Sequence, residues 1–291
     1  MRPPAAARPS RLAEVGRFLE IQNLGLNLPF AVAFLLAAAR GVPSWWVTGL
    51  IVVAFVAARN AGHSFNRWAD RGYDAANPRT RGRALPSGRL SPTFALTVAV
   101  LSGGLLIVAA GLLNLLALAL APVALALIFV YSYTKRFTAL TTPYLGLVEG
   151  ITPAAIYIAV TGTLPWFVLT AVGALVAWGT AFETVHSLGD VDADRAAGLR
   201  SLPARWGPER ARRALPLFHA TAVGLFVAFV FLARLAPLGL VGVVPMIVVA
   251  GYVDLTLAQR PRNVLRPFRL HFVAAASFLA GVAASLFAGS L

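Results

Sequence analysis

Two short acidic runs hold the residues best able to do chemistry. One is Asn66-Arg67-Trp68-Ala69-Asp70-Arg71-Gly72-Tyr73-Asp74, the other Asp190-Val191-Asp192-Ala193-Asp194, and each ends a long apolar stretch. The chain is otherwise poor in acid: of 11 Asp and Glu in 291 residues, five lie in these runs. A carboxylate at membrane depth is expensive and by default points to function. Positions four apart on a helix differ by about 40°, so Arg59, His63, Asn66, Asp70 and Asp74 share one face. The same arithmetic groups Glu183, Ser187, Asp190 and Asp194 on a second helix, with His186 at the edge and Asp192 turned away. Facing carboxylates raise one another's pKa unless cations lie between them. Hard oxygen donors without His or Cys spacing favour Mg2+ over Zn2+, and Mg2+ held by few carboxylates usually completes its shell with water and substrate phosphate. The expected substrate is therefore phosphorylated. Arg71, Arg79, Arg83, Lys135, Arg136 and Arg200 gather near the runs, and arginine forks would clamp a diphosphate. No GxxxxGK[ST] or GxGxxG run occurs, so a nucleotide held by a Gly-rich loop is not supported.

These runs must be positioned by membrane helices. Hydrophobic residues make up 58% of the chain and charged residues 12%, with mean hydropathy +0.75, where a soluble domain carries roughly a quarter charged residues. The expected fold is all-α, a polytopic membrane bundle. Nine apolar segments are long enough to span: 21–39, 46–69, 93–112, 115–134, 143–161, 165–187, 213–233, 237–257 and 270–289. Residues 1–20 read as a basic cytoplasmic tail without the pattern of a signal peptide, and residues 21–291 as a single transmembrane domain. The net charge of +14 invites a nucleic-acid reading, but its distribution answers it. Alternate gaps and the N-terminal tail hold 21 of the 25 Lys and Arg, while the opposite gaps hold only Arg40 and Arg234. That is the positive-inside pattern, with a cytoplasmic N-terminus and both acidic runs on the cytoplasmic side. The lipid bilayer, not nucleic acid, is the expected partner. There is no cysteine, hence no disulfide or thiolate chemistry.

The motif Asn66-Arg67-x-x-Asp70-x-x-x-Asp74, followed by Asn77-Pro78-Arg79-Thr80-x-x-Arg83-x-Leu85-Pro86-Ser87-Gly88, resembles the first signature of the UbiA-type intramembrane prenyltransferases. Tyr131-Ser132-Tyr133-Thr134-Lys135-Arg136 resembles their tyrosine-lysine loop, and Asp190-x-x-x-Asp194-x-x-x-Gly198-Leu199-x-Ser201-Leu202-Pro203 their second signature. The resemblance covers nearly the whole chain and is specific as a set, where one DxxxD alone is weak. One departure is His186-Ser187, where many relatives carry a Tyr-Ala pair, and it bears on the acceptor more than on the reaction. The resemblance implies transfer of a polyprenyl group from its diphosphate to a small aromatic acceptor, with 4-hydroxybenzoate first among the candidates. It implies that Asn66, Asp70 and Asp74 hold one Mg2+, that Asp190 and Asp194 hold another, and that Asp70, Asp190 and Asp194 are essential to catalysis. Arg71, Arg79, Arg83, Tyr133 and Lys135 would bind the diphosphate end; stripe geometry alone, not the resemblance, makes Arg59 or His186 a candidate for the acceptor. Trp68, Tyr133, Tyr144 and Trp178 could wall a water-poor pocket for the allylic cation. The expected location is a bacterial plasma membrane, with the active site on the cytoplasmic side by the same Lys and Arg asymmetry.

Other readings stand beside this one. The acceptor could be a menaquinone-pathway naphthoate, haem, a chlorophyll precursor or a glycerol phosphate lipid. A secondary transporter would also bear inward carboxylates, though near the bilayer midplane rather than at helix ends beside Arg-rich loops. Asp192 reads as solvated or paired with Arg195, and His63 as packing. Glu14, Glu20, Glu149 and Asp254 carry no partner pattern. Arg83-Ala84-Leu85-Pro86 and Arg200-Ser201-Leu202-Pro203 echo each other, through two related halves or through chance.

Overall fold

The computed structural model describes residues 10–19, 28–235, 237–260 and 264–288. Glu20, Arg2, Arg8, Arg262 and residues 21–27 of the first expected span lie outside the described residues. The helices are α1 Arg11–Phe18, α2 Leu28–Ala39, α3 Trp45–Ala76, α4 Pro92–Leu113, α5 Leu115–Phe137, α6 Thr141–Gly150, α7 Thr152–Thr161, α8 Val168–Ser187, α9 Val191–Ala196, α10 Leu202–Trp206, α11 Pro208–Leu232, α12 Leu238–Gln259 and α13 Leu265–Phe287. Among the described residues there is no strand. Among the described residues, eight spans are long and apolar enough to cross a membrane, with α6 and α7 counted together as Thr141–Thr161. They match eight of the nine expected segments. The ninth, 21–39, is represented by the 12 residues of α2.

Local chemistry sets the helix ends. Ser44, Ser91 and Asn114 cap α3, α4 and α5, each accepting from the amide three residues on, at 3.3, 3.1 and 2.9 Å. These bonds satisfy amides that have no partner inside the helix. One expected span and one expected helical face are interrupted. The segment 143–161 breaks at Ile151, where Pro153 in the first turn of α7 has no N–H to continue the ladder. The sixth helix stops at Ser187, and Asp190 becomes the N-cap residue of α9. The single continuous face drawn through Glu183, Ser187, Asp190 and Asp194 is thus corrected. Asp190 and Asp194 share one helical turn, with the Asp194 amide donating to the Asp190 carbonyl at 2.8 Å, but Glu183 and Ser187 belong to a different helix.

In lipid, apolar side chains gain little by leaving their surroundings, so close approach of small residues and polar pairs hold helices together. The long faces of α4 and α12 show this, with Val100, Leu101, Val108, Val241 and Val248 outward. Where α12 meets α13, a Cβ on Gly281 would lie 2.6 Å from Gly242 Cα and 2.7 Å from its nitrogen. Gly146 and Gly150 bring α6 onto α8 in the same way: a Cβ on either would stand 2.5 Å from an atom of Val176. Close helix packing is what these glycines provide. Gly173 is nearly as tight, Gly103 makes ordinary contact, and Gly104 faces open space. The main core lies among α2, α8, α11 and α13, where Phe30 stacks on Phe226 at 5.5 Å and Phe226 meets Phe278 at 4.7 Å. Asp254, unassigned from sequence, pairs with His219 across α11 and α12 at 2.8 Å, beneath the Trp178 ring.

Because the obstacle at Gly281 is backbone, no rotamer relieves it. Gly281→Ala is expected to destabilise by about 1–3 kcal/mol and to lower the thermal midpoint in detergent, whereas Gly104→Ala leaves it unchanged.

Candidate active site

The acidic motifs meet at one end of the bundle, held there by partners of opposite charge. Asp70 is buried near the end of α3. Lys135 Nζ, from the end of α5, stands 2.6 Å from its Oδ2, and Arg136 Nη2 3.7 Å from its Oδ1. Asn66, one turn earlier, donates to Asp70 Oδ2 at 3.2 Å and lies 3.5 Å from Ser132 Oγ. One turn later Asp74 accepts from Arg83 Nη1 at 3.1 and 3.2 Å. Arg83 can return to it because the chain after α3 turns back at once: Thr80 Oγ1 donates to the Asp74 carbonyl at 2.9 Å, and the Arg81 amide to the Asn77 carbonyl at 2.9 Å.

The same loop reaches across to the second motif. Arg79 donates a fork to Asp190, Nε to Oδ1 at 2.7 Å and Nη2 to Oδ2 at 2.6 Å. Such two-point pairs combine strength with fixed orientation. Burial alone would push the Arg79 guanidinium down, but the hydrogen bonds and charge of Asp190, with Asp74 and Asp194 behind it, hold it above its ordinary value. Asp194 accepts from Ser201 Oγ at 2.6 Å. Burial holds the Asp194 carboxyl above the usual carboxylate range, aided by Asp190 and Glu183 and opposed by the Ser201 hydrogen bond and Lys135.

The circuit closes through Arg200. Its amide donates to the Lys135 carbonyl at 2.8 Å and its Nη1 to the Phe137 carbonyl at 3.0 Å. Arg200, expected as a diphosphate cation, ties the second-motif loop to the end of α5, where carbonyls lack helical partners. Each motif loop also sends a side chain back to the second Asp of its own motif, Arg83 to Asp74 and Ser201 to Asp194.

Other expected residues fall outside this circuit. Arg71 is exposed and folds back on its own helix, donating to the Trp68 carbonyl at 2.7 Å with its guanidinium 5.2 Å from the Trp68 ring. Arg59 Nη1 donates to the Leu19 carbonyl at 2.6 Å, which places it at the end of α1. His186 is exposed, with Nδ1 3.5 Å from Glu183 Oε2. Asp192 is exposed on α9. Tyr133 lies under Arg136, 4.7 Å from its guanidinium, while the Tyr144 hydroxyl donates to the Leu127 carbonyl at 3.1 Å. Of the expected aromatic wall, Trp178 lines a small cleft with Phe30, Leu175 and Phe182, into which Glu149 and Thr152 bring the polar atoms. Sequence reasoning passed over Ser132, Ser201 and the reach of Arg136. Their signal was adjacency to the motifs, since all three stand inside quoted motif strings.

Among the described residues, no three His, Asp or Glu side chains converge as a ready metal cage. The donors are nonetheless carboxylate and amide oxygens, and Asp70 Oδ1 is buried without a hydrogen-bond partner. This set fits a hard ion that keeps water and shares phosphate, as Mg2+ does, rather than one enclosed by protein.

An all-helical membrane bundle with paired acidic motifs and basic loops at one end is the architecture of an intramembrane transferase of phosphorylated lipids. Residues 27–277 match the UbiA prenyltransferase family, and the chain belongs to that family; it is a prenyltransferase and a multi-pass membrane protein. It is 34% identical over 220 residues to a 4-hydroxybenzoate octaprenyltransferase of Shewanella woodyi, covering 75% of this chain and 74% of the relative. It is 31% identical over 257 residues to the enzyme of that name from Shewanella baltica, covering 87% of each. Among solved structures, the apo form of a UbiA homologue from Aeropyrum pernix K1 superposes with TM-score 0.82 at 31% identity, over 93% of this chain and 99% of that one. A UbiA homologue from Archaeoglobus fulgidus bound to GPP and Mg2+ shares the fold, with TM-score 0.70 at 19% identity, over 94% of this chain and 99% of that one.

The two arginines separate cleanly in a binding test. Arg79→Ala is expected to weaken pyrophosphate binding, measured calorimetrically in excess Mg2+, by about tenfold, the scale of a charge-assisted fork. Arg71→Ala should leave it within about twofold, as exposed single charges do.

Proposed function

We propose that this enzyme transfers a polyprenyl group from polyprenyl diphosphate to a small aromatic acceptor, most simply 4-hydroxybenzoate, in a Mg2+-dependent reaction that serves quinone biosynthesis. The observation that carries this reading is the Arg79–Asp190 fork, which joins both acidic motifs through a group suited to phosphate. The relatives named as 4-hydroxybenzoate octaprenyltransferases support the acceptor. The A. fulgidus homologue bound to DMAPP and Mg2+ supports a prenyl diphosphate and a divalent ion.

On this reading Arg79, Arg83, Lys135 and Arg136 receive the diphosphate and neutralise charge as the allylic C–O bond breaks. Asn66, Asp70 and Asp74 on one side, with Asp190 and Asp194 on the other, would hold Mg2+, which adds Lewis acidity to the leaving group. An electron-rich carbon of the phenol attacks the allylic cation, and the ring then loses its proton. Arg59 is the candidate for the acceptor carboxylate: Arg59→Ala should raise the acceptor KM more than the diphosphate KM. The basic loops on the motif side favour a cytoplasmic active site in a bacterial plasma membrane.

The decisive assay incubates membranes with prenyl diphosphates and a panel of phenolic acids and identifies the product by mass. Asp70→Asn and Asp190→Asn are each expected to lower turnover by at least about a hundredfold, the scale of losing one group that stabilises transition-state charge, while Asp192→Asn is mild. Equal loss in all three would sink this assignment. The chain has no native cysteine, so one placed at Gly82 should react with a membrane-impermeant maleimide only from the cytoplasmic side.

A further inference from the structure

We propose that α1 is a strap that holds the first-motif loop, residues 77–91, in its diphosphate-binding shape, and that Glu14 is the positioning residue that fastens it through Arg89. The inference rests on the reading above, in which Arg79 and Arg83 of that loop receive the diphosphate.

The strap is fastened along its length. Ser10 caps it, accepting from the Ala13 amide at 3.2 Å. On the loop side, Arg89 Nε donates to Glu14 Oε1 at 2.9 Å while its Nη2 donates to the Gly82 carbonyl at 2.9 Å. Arg89 thus joins the strap to the crest of the loop, between Arg79 and Arg83 in one direction and the start of α4 in the other. Glu14 is buried, and a buried carboxylate is tolerated where a cation meets it. Phe18, 1% exposed, fills a small core with Ala84 and Leu85 of the loop, Leu90 at its end and Ala95 of α4, its ring 5.8 Å from Phe94. On the α3 side, Arg67 stands over the Phe18 ring at 5.8 Å and Arg59 donates to the Leu19 carbonyl at the strap's last turn.

The loop has little else to fix it. It contains no helix and turns mainly on bonds within itself, such as Ser87 amide to Arg83 carbonyl at 3.1 Å and Leu90 amide to Ala84 carbonyl at 3.0 Å. Thr80 Oγ1 ties its start to the Asp74 carbonyl at 2.9 Å, but its ion pairs with the rest of the site run through Arg79 and Arg83, the groups that would have to exchange carboxylate for phosphate. Beyond the Thr80 bond, a loop whose ion pairs are released on binding needs an anchor that is not, and α1 supplies it. Releasing the strap lowers the fraction of molecules whose arginines are in place, and apparent affinity falls by that fraction.

The test uses the full chain in detergent, with pyrophosphate and excess Mg2+ as the calorimetric probe and steady-state kinetics beside it. Glu14→Gln and Arg89→Gln are each expected to weaken pyrophosphate binding and raise the prenyl diphosphate KM by about three- to tenfold, with the acceptor KM and kcat within about twofold. The exchanged pair Glu14→Arg with Arg89→Glu should restore affinity. A purely structural role would reduce binding stoichiometry and kcat while leaving the dissociation constant alone, and that result overturns the proposal, as does unchanged affinity in both single variants. Should a single variant lose its fold, Glu14→Cys with Arg89→Cys joined by a short bis-maleimide decides: affinity that recovers on joining supports the strap, and equal affinity before and after joining refutes it. If Arg79→Ala and Arg83→Ala also leave affinity unchanged, the reading of the site falls and the strap with it. If they weaken binding while Glu14→Gln and Arg89→Gln do not, the strap alone falls.

Discussion

Carboxylates at the edge of an apolar bundle must be met by opposite charge, and the arrangement of the whole site follows from that. Asp70 takes Lys135, Asp74 takes Arg83, Asp190 takes Arg79, and Asp194 takes a hydroxyl from Ser201. None of these three ion pairs joins residues of one regular helix. Each links a helix to a loop, or one helix to another, so satisfying the charges fixes α3, α5, α9 and both motif loops relative to one another. Arg200, bonded to the Lys135 and Phe137 carbonyls, closes the chain of contacts. The cost of a buried unpaired charge is severalfold larger than the gain of an exposed pair, and that asymmetry makes the arrangement specific.

Below the charged end the bundle obeys a different rule. Lipid surrounds it, so burying leucine is worth little and shape decides. Gly242 against Gly281, and Gly146 and Gly150 against Val176, draw helices together along lines where no side chain intervenes. The His219–Asp254 pair adds a polar tie inside the half built from α8, α11, α12 and α13. The two regimes divide the labour: close apolar contacts hold the frame, and the charged rim sets the angle at which the loops meet it.

Much of this was legible in the residues. Span positions followed from hydropathy because the bilayer imposes a length on every crossing helix, and eight of the expected segments are helices long enough to cross. The acids, Lys135, Arg79 and Arg83 stood out because charge is rare in this chain and spacing four apart sets a face. What failed was continuity. Extending one helical phase from Glu183 to Asp194 assumed an unbroken ladder, and the turn at Leu188–Asp190 breaks it; Ile151 breaks the fifth span likewise. Arg71 lay in the motif but its side chain took the nearest carbonyl, a choice that rotamer and local packing decide. Asp254 and Glu14 had partners far away in sequence, His219 at 35 positions and Arg89 at 75, which no local pattern announces. Arg59 was placed on the right stripe, yet its contact with α1 belongs to tertiary structure.

The pairing also constrains how substrate could enter the proposed site. An arginine that turns from Asp190 or Asp74 to phosphate leaves behind a carboxylate with no cation, in surroundings where that is costly. A metal ion accompanying the diphosphate would meet that need in the same event. Neither partner gains the full benefit alone: diphosphate without metal strands the carboxylates, and metal without diphosphate must compete with arginines and Lys135 already in place. In the proposed reaction this would couple the two binding events positively, as a free energy shared by both. It also explains why no ready three-carboxylate cage is needed among the described residues. Carboxylates met by arginine and lysine are held oriented, and in the proposed reaction they would be released only when a substrate arrives that can take over those basic groups.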